Sequence, residues 1–538
     1  MSGITKETMD HAEMAKEATH ESLEAEMRTE MLLSPPKKFS KAAIQLYFFM
    51  FLAYCNSWGT GFDSSLMSAM NSSDRWHSDL SVPKTGSLLG IVTAIYTIGN
   101  MIGSFVAGPA GDRWGRKVGI VIGNTITLLG AIVLCTSGNY HAFLAGRFLT
   151  GFGLSISRSS APSWVAEMSP PQWRGPAIML YNSLWLIGAI IASAIAFASG
   201  PIQSSLSWRL PLILQVVPTS IVLLGVWFLP ESPRWLIAND RVDEARRILT
   251  KYHADGDENS SLVSLEIVEM QESIQLEASD KRWYDYSEFF TPRANRYRLF
   301  MVISMGFIGI TSFSSFVTNA PGLLLFLGQW GGSNLTGYYL ANNLRNIGIT
   351  AQDRLLVYNM AYYISALGGA SIGSLLSNKI GRRPQLLFGC LSMSACLVAL
   401  IGVTSQYHKG QSSSLSNLTI AFIFFVGIFH SGGVNPLVVA YPVECLHTNT
   451  RSKGMGINNF VLNAAEFVNT YAAPIALANI AWKVYIVYAV WNIVQAAWVY
   501  LFFVETKGRT LEEMDEIFKA KNPVKASLKV VPIFDGGI

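Results

Sequence analysis

Apolar residues along this chain gather into runs of about twenty, separated by short polar links, which is the length a helix needs to cross the hydrocarbon core of a bilayer. Twelve runs meet this measure: 44–67, 86–108, 118–137, 140–162, 177–198, 209–229, 299–322, 353–376, 384–404, 417–440, 455–478 and 482–504. One long polar stretch, 231–298, parts six runs from six and carries amphipathic segments such as Val242–Leu249. It reads as short cytoplasmic helices between two halves. The pattern predicts an all-α polytopic membrane protein of twelve transmembrane helices in two six-helix bundles, 44–230 and 299–505. Residues 1–43 and 506–538 are expected to be cytoplasmic tails, the first of them disordered. Residues 1–41 contain no run of signal-peptide type, so the first membrane helix is expected to serve as its own insertion signal.

Composition agrees. Hydrophobic residues make up 50% of the chain and charged ones 14%, against about 25% charged in soluble domains. The net charge of +4 lies in short clusters with no basic stripe, which argues against nucleic acid as a partner and for lipid around the helices. The five cysteines are scattered, with no CxxC or zinc spacing, and no Walker A loop or HExxH occurs. No metal, cofactor or enzymatic activity is therefore expected. Orientation follows from Lys and Arg in the short links: one side collects Lys37, Lys38, Lys41, Arg113, Arg116, Lys117, Arg174, Lys379, Arg382, Arg383, Arg451, Lys453, Lys507 and Arg509. The other side has half as many, which predicts both termini to be cytoplasmic.

The halves also repeat. Asp112-Arg-Trp-Gly-Arg-Lys117 follows the second run and Asn378-Lys-Ile-Gly-Arg-Arg383 the eighth. Glu167 with Arg174 follows the fourth, and Glu444 with Arg451 the tenth. Pro230-Glu-Ser-Pro-Arg234 follows the sixth, and Val504-Glu-Thr-Lys-Gly-Arg509 the twelfth. Two repeats of this kind place a binding site between them near the midplane. The recurring charges, Asp112, Arg113, Arg116, Glu167, Arg174, Glu231 and Arg234 against Arg382, Arg383, Glu444, Arg451 and Glu505, are expected to pair at helix ends as a cytoplasmic gate.

Over residues 45–518 these landmarks resemble the sugar-porter family of the major facilitator superfamily. Tyr181-Asn-Ser-Leu-Trp185, Tyr441-Pro-Val-Glu-Cys445, Asn463-Ala-Ala and Pro474-Ile-Ala-Leu477 look like its fungal lactose permease and cellodextrin transporter branch. The resemblance implies a plasma-membrane sugar importer, monomeric and driven by protons. Asp63, in Gly61-Phe-Asp63, matches an aspartate of proton-coupled members, and Arg147 the arginine that partners it. For substrate binding it points to Asn182, Trp185, Gln329, Asn334, Tyr338, Asn359 and Asn463, since amides pair with hydroxyls and aromatic faces stack on sugar rings.

Some positions depart from the branch pattern. Ser333 stands for an asparagine, Val434-Asn435-Pro436 for Trp-Thr-Pro, and His430 for an aromatic; His430 still falls at a pocket position. Arg158 and Glu466 are further intramembrane charges, and Arg158 either snorkels to the cytoplasmic interface or faces the pocket. These departures keep open a sugar acid or another small hydroxylated acid as substrate; a non-transporting nutrient sensor is the remaining alternative. Asn71-Ser-Ser73 and Asn417-Leu-Thr419 are glycosylation sequons expected on the extracellular side.

Overall fold

The computed structural model describes residues 29–30, 39–278, 289–290, 293–310, 333–410, 412–446, 451–507, 509 and 511–528. Among these, all regular structure is helical. The first half comprises α1 (Lys41–Ser72), α2 (Ser87–Trp114), α3 (Arg116–Thr136), α4 (Tyr140–Met168), α5 (Arg174–Ser199) and α6, which runs as Leu206–Leu214 and Val216–Gly225. The second comprises α7 (Arg293–Ile310), α8 (Gln352–Ile380), α9 (Arg382–Gly410), α10 (Ser413–Gly433, resuming as Leu437–Cys445), α11 (Arg451–Ile480) and α12 (Val484–Phe502). Short helices Ser333–Tyr338 and Leu340–Arg345 precede α8, and Pro233–Ala238, Val242–His253 and Ser261–Ala278 lie between the halves.

Local chemistry fixes the breaks. Pro218 has no N–H for the carbonyl of Leu214, and α6 bends at Gln215. In α10, Pro436 cannot serve the carbonyl of Gly432, which instead accepts Gln385 Nε2 at 2.7 Å. Both interruptions fall inside runs expected to be continuous, 209–229 and 417–440. α1 outlasts its expected end at 67 because Ser68, Asn71 and Ser72 are all buried. Gly115 (φ +100°) and Gly381 (φ +103°) let α2 pass to α3 and α8 to α9 through a single residue.

The helices then pack through small residues, as membrane helices do. A Cβ on Gly61 would lie 1.6 Å from the carbonyl oxygen of Trp185, so α1 and α5 touch backbone to backbone. The halves meet where α2 packs on α11 and α5 on α8. Among the described residues, seven helices are long and apolar enough to span a bilayer on length and composition alone. α1, α4, α5, α7 and α11 are not among them; α1, α4 and α11 carry Asp63, Arg147, Arg158 and Glu466.

Candidate functional site

α1 and α4 cross so that Asp63 and Arg147 meet inside the first half. Asp63 is fully buried and Arg147 is 3% exposed. Arg147 Nη1 donates to both carboxylate oxygens, at 3.0 and 2.9 Å. The break in α6 brings a third member, Gln215, whose Nε2 donates to Asp63 Oδ1 at 2.8 Å. The Arg147 guanidinium lies over the Tyr96 ring, 4.6 Å from its centre. Gaining or losing a proton on such a carboxylate disturbs every partner at once, because the low dielectric leaves no solvent to compensate. Sequence reasoning found the pair and missed Gln215 and Tyr96. The only signal for Gln215 was an amide three residues before a helix-breaking proline.

Across the interface, Glu466 of α11 accepts a hydrogen bond from Tyr338 Oη at 3.2 Å. The charges of Arg158 and Arg147 both act on it. Arg158 is exposed on α4. Asn359 belongs to a buried polar cluster and not to an open pocket: Oδ1 accepts from Ser68 Oγ at 2.8 Å and Nδ2 donates to Ser193 Oγ at 3.1 Å. Ser193 in turn meets Ser65 at 2.7 Å. This corrects Asn359 as a substrate group in this conformation, because both ends of its amide are taken by protein. Asn463 Nδ2 is likewise turned back on its own helix, to Asn459 O at 2.8 Å. Trp185 and His430 are half-buried.

The Ser68–Asn359 bond is part of a closure joining the halves at one end. Asn71 Nδ2 donates to Tyr338 O at 3.0 Å, and Arg345 reaches Asn71 O at 2.9 Å and Asp74 Oδ1 at 3.0 Å. Lys84 adds a second cation on Asp74 at 2.7 Å. Arg345 thereby sits on the C-terminal carbonyls of α1, where the helix dipole favours positive charge. Asn71 is buried and hydrogen-bonded, so its sequon cannot carry a glycan here; Asn417 is exposed in the second turn of α10.

At the opposite end each half builds the same cluster. Arg116 Nη2 meets Glu167 Oε1 at 3.1 Å, and Arg382 Nη2 meets Glu444 Oε1 at 2.8 Å. Ser232 Oγ donates to Glu167 and Thr506 Oγ1 to Glu444, each at 2.5 Å. Glu231 accepts Lys117 N at 3.2 Å, and Glu505 accepts Arg382 N and Arg383 N at 3.0 and 3.1 Å, so one carboxylate caps α3 and the other α9. Burial pushes the Glu231 carboxyl above its ordinary range, and the N–H donors of Ser232, Lys117 and Arg116 oppose it. Three residues before each glutamate an aromatic side chain ties the helix to the next landmark: Trp164 Nε1 donates to Pro230 O at 2.9 Å, and Tyr441 Oη to Val504 O at 2.9 Å.

Arg113 is exposed, and Arg174 and Arg234 are half-buried. Gln329 lies outside the described residues, as do the side chains of Asp112, Asn182, Asn334 and Arg451.

Comparison with known proteins agrees with this geometry. The family model described as "Sugar (and other) transporter" matches residues 46–319 and 320–518. An MFS-type transporter of Aspergillus cristatus is 28% identical over 85% of this chain and 90% of its own. A high-affinity glucose transporter of Kluyveromyces lactis is 26% identical over 92% and 89%. Among solved structures, the inward-open xylose transporter XylE of E. coli superposes with a TM-score of 0.69 at 18% identity, over 88% of this chain and 99% of that one. The chain has the major facilitator fold and belongs to the sugar transporter family.

Proposed function

We propose that this family member imports a sugar together with protons by alternating access, as a monomer in the plasma membrane with both termini cytoplasmic. The observation that carries the proposal is the buried Asp63–Arg147–Gln215 group. A proton on Asp63 releases Arg147, and the freed guanidinium changes what α4 and Tyr96 present to the centre. Relatives named as glucose transporters support a sugar as cargo. Within the family we place the chain near the lactose permease and cellodextrin transporter branch, with Asn182, Trp185, Gln329 and Asn334 meeting the substrate.

The cytoplasmic end is assigned to the repeated charge clusters by the excess of Lys and Arg there. The closure through Arg345 then seals the extracellular side, and the cavity opens inward. Reopening outward requires Arg345, Asn71 and Ser68 to exchange partners while Arg116–Glu167 and Arg382–Glu444 hold each half rigid. The test is uptake of labelled glucose, xylose and cellobiose by cells expressing the full chain at external pH 5 and 7.5. Accumulation at pH 5 that a protonophore abolishes supports proton coupling. Equal uptake at both pH values, without accumulation, overturns it.

A further inference from the structure

The insert between the halves is tied to the first half through a histidine. In Val242–His253, the residues Ala245, Leu249 and His253 follow at four-residue spacing and are all buried, so the ring lies on the inward face of that helix. In Ser261–Ala278 the apolar face of Val263, Ile267 and Met270 is broken by Glu266, which is fully buried. His253 Nδ1 lies 3.1 and 2.8 Å from the two carboxylate oxygens of Glu266, and Nε2 lies 3.2 Å from the carbonyl oxygen of Met168. Met168 is the last residue of α4, where carbonyls have no acceptor's partner within the helix. The residue before it, Glu167, holds Arg116. Tyr252 meets Phe49 of α1 edge-on, with ring centres 6.2 Å apart, and seats the same helix against α1. The charged side chains on the elements gathered here are Lys251, Arg234, Glu269, Glu30 of the segment that reaches Ser261, Lys41 of α1, and Glu167. Among the described residues it is Glu266 that bonds the ring; Lys251 lies over the Tyr252 ring, and Glu167 is taken by Arg116 and Ser232.

We propose that His253 and Glu266 form a proton-operated latch that seats the insert on the end of α4, and that it makes the first half's charge cluster, and not the second's, sensitive to the pH of the solution around the insert. Both ring nitrogens face acceptors. A carbonyl cannot give a proton, so Nε2 must carry one, and a second proton must lie between Nδ1 and Glu266, on one or the other. A neutral imidazole beside an ionised carboxylate has one proton for two bonds. Losing the second proton therefore leaves either the Met168 carbonyl or the buried carboxylate without its donor, and an unpaired buried group is costly. The latched form holds one proton more than the released form, so the latch is favoured at low pH and weakens as pH rises. A proton on the ring also puts positive charge at the C-terminal end of α4, where the helix dipole favours it. The second half has a different fastening: Ser527 Oγ accepts Glu505 N at 3.1 Å, and a serine hydroxyl does not titrate in this range. The inference rests on the orientation proposed above only in that the solution concerned is then the cytosol. In a proton importer, the acid delivered to the cytosol then acts beside Glu167.

The experiment is amide hydrogen exchange of the full chain in detergent micelles at pH 6 and 8, with each rate divided by the intrinsic rate at that pH. Detergent puts both faces in one solution, so the outcome does not depend on the orientation or on the solute carried. In the parent, protection of 242–253 and of the end of α4, 164–169, should fall about tenfold between pH 6 and 8, the worth of one hydrogen bond to a charged group. The tail helix Leu511–Lys519 and the end of α10, 441–445, should not change. Glu266→Gln is the deciding variant. Its amide N–H can donate to an unprotonated Nδ1 while Nε2–H still reaches Met168, so the latch needs no extra proton. Protection in this variant should be as high at pH 8 as at pH 6. His253→Phe should be poorly protected at both. Protection in the parent that is flat between pH 6 and 8 overturns the proposal, even if neither variant folds. Glu266→Gln with the parent's pH dependence places the titration elsewhere and overturns it, and Glu266→Gln unprotected at both pH values makes the pair a plain structural contact and overturns it too. Each of these results leaves proton-coupled sugar transport standing.

Discussion

At the charged end, Arg116 meets Glu167 beside the capping carboxylate of Glu231, and Arg382 meets Glu444 beside that of Glu505, with a serine in one cluster and a threonine in the other donating to the paired glutamate. At mid-membrane, among the described residues, the halves share nothing of this kind. The first half has a closed group of carboxylate, arginine and amide; the second has Glu466 with a tyrosine. In the proposed alternating-access cycle, a part present in both halves serves what both halves must do, which is to stay rigid while rocking against each other. A part present in only one half serves what happens once per cycle, and a proton binding step is of that kind.

The difference can be broken first at Arg147. Arg147→Met would leave Asp63 buried with only Gln215, among the described residues, as a donor, a loss of about 3–5 kcal/mol. The folded fraction after detergent extraction should fall steeply. Arg382→Met, in a pair whose side chains are 16% and 29% exposed, should cost clearly less. Equal losses would mean that the central pair is no more tightly held than the charged end.

The repeat itself predicts symmetry. Glu167→Gln and Glu444→Gln should each slow transport, by roughly tenfold, about 1.4 kcal/mol, with near-normal abundance. The two factors should agree within about threefold, the usual spread between like contacts. A tenfold gap between them would show that one cluster carries a step the other does not.

A smaller effect is expected at the opposite closure. Partial burial raises the Asp74 carboxyl, but the hydrogen bond and charge of Lys84 and the charge of Arg345 outweigh it and hold it below its ordinary 3.8. Its ionised form is therefore the one the closure favours. The closure it supports is present above that ordinary value and is lost only as pH falls through the depressed one. Labelling of Ser68→Cys by an external thiol reagent, taken relative to a fully exposed cysteine at the same pH because only the thiolate reacts, should thus be the same at pH 7.5 and 5, and should rise a few-fold in Arg345→Gln at both. A rise between pH 7.5 and 5 in the parent would assign the closure to another group.

Much of the repeated machinery could be read from the sequence, because Arg116, Glu167 and Glu231 recur in order as Arg382, Glu444 and Glu505 and each pair sits at a helix end. Asp63 and Arg147 were legible as charges inside apolar runs. The rest depended on how helices cross. Gln215 is one amide in an apolar stretch, and only the bend before Pro218 turns it onto Asp63. Ser65, Ser68 and Ser193 look like ordinary small packing residues until Asn359 joins them across the halves. Arg345 belongs to no motif, and the Asn71 sequon seemed available because α1 was expected to end before it. The buried bond of His253 to Glu266, at 2.8 Å, ties two insert helices together and had no motif to announce it.

Proton coupling rests most directly on Asp63. Asp63→Asn keeps the shape and volume of the side chain but cannot cycle a proton, and Gln215 can still donate to it. The deciding measurement is accumulation of labelled substrate against exchange of substrate down its gradient, at external pH 5 and 7.5, with membrane abundance measured alongside. The account predicts that the variant exchanges substrate at a rate nearly flat with pH and concentrates none. Accumulation by Asp63→Asn with the parent's pH dependence would contradict it and move the coupling to another carboxylate, Glu466 first.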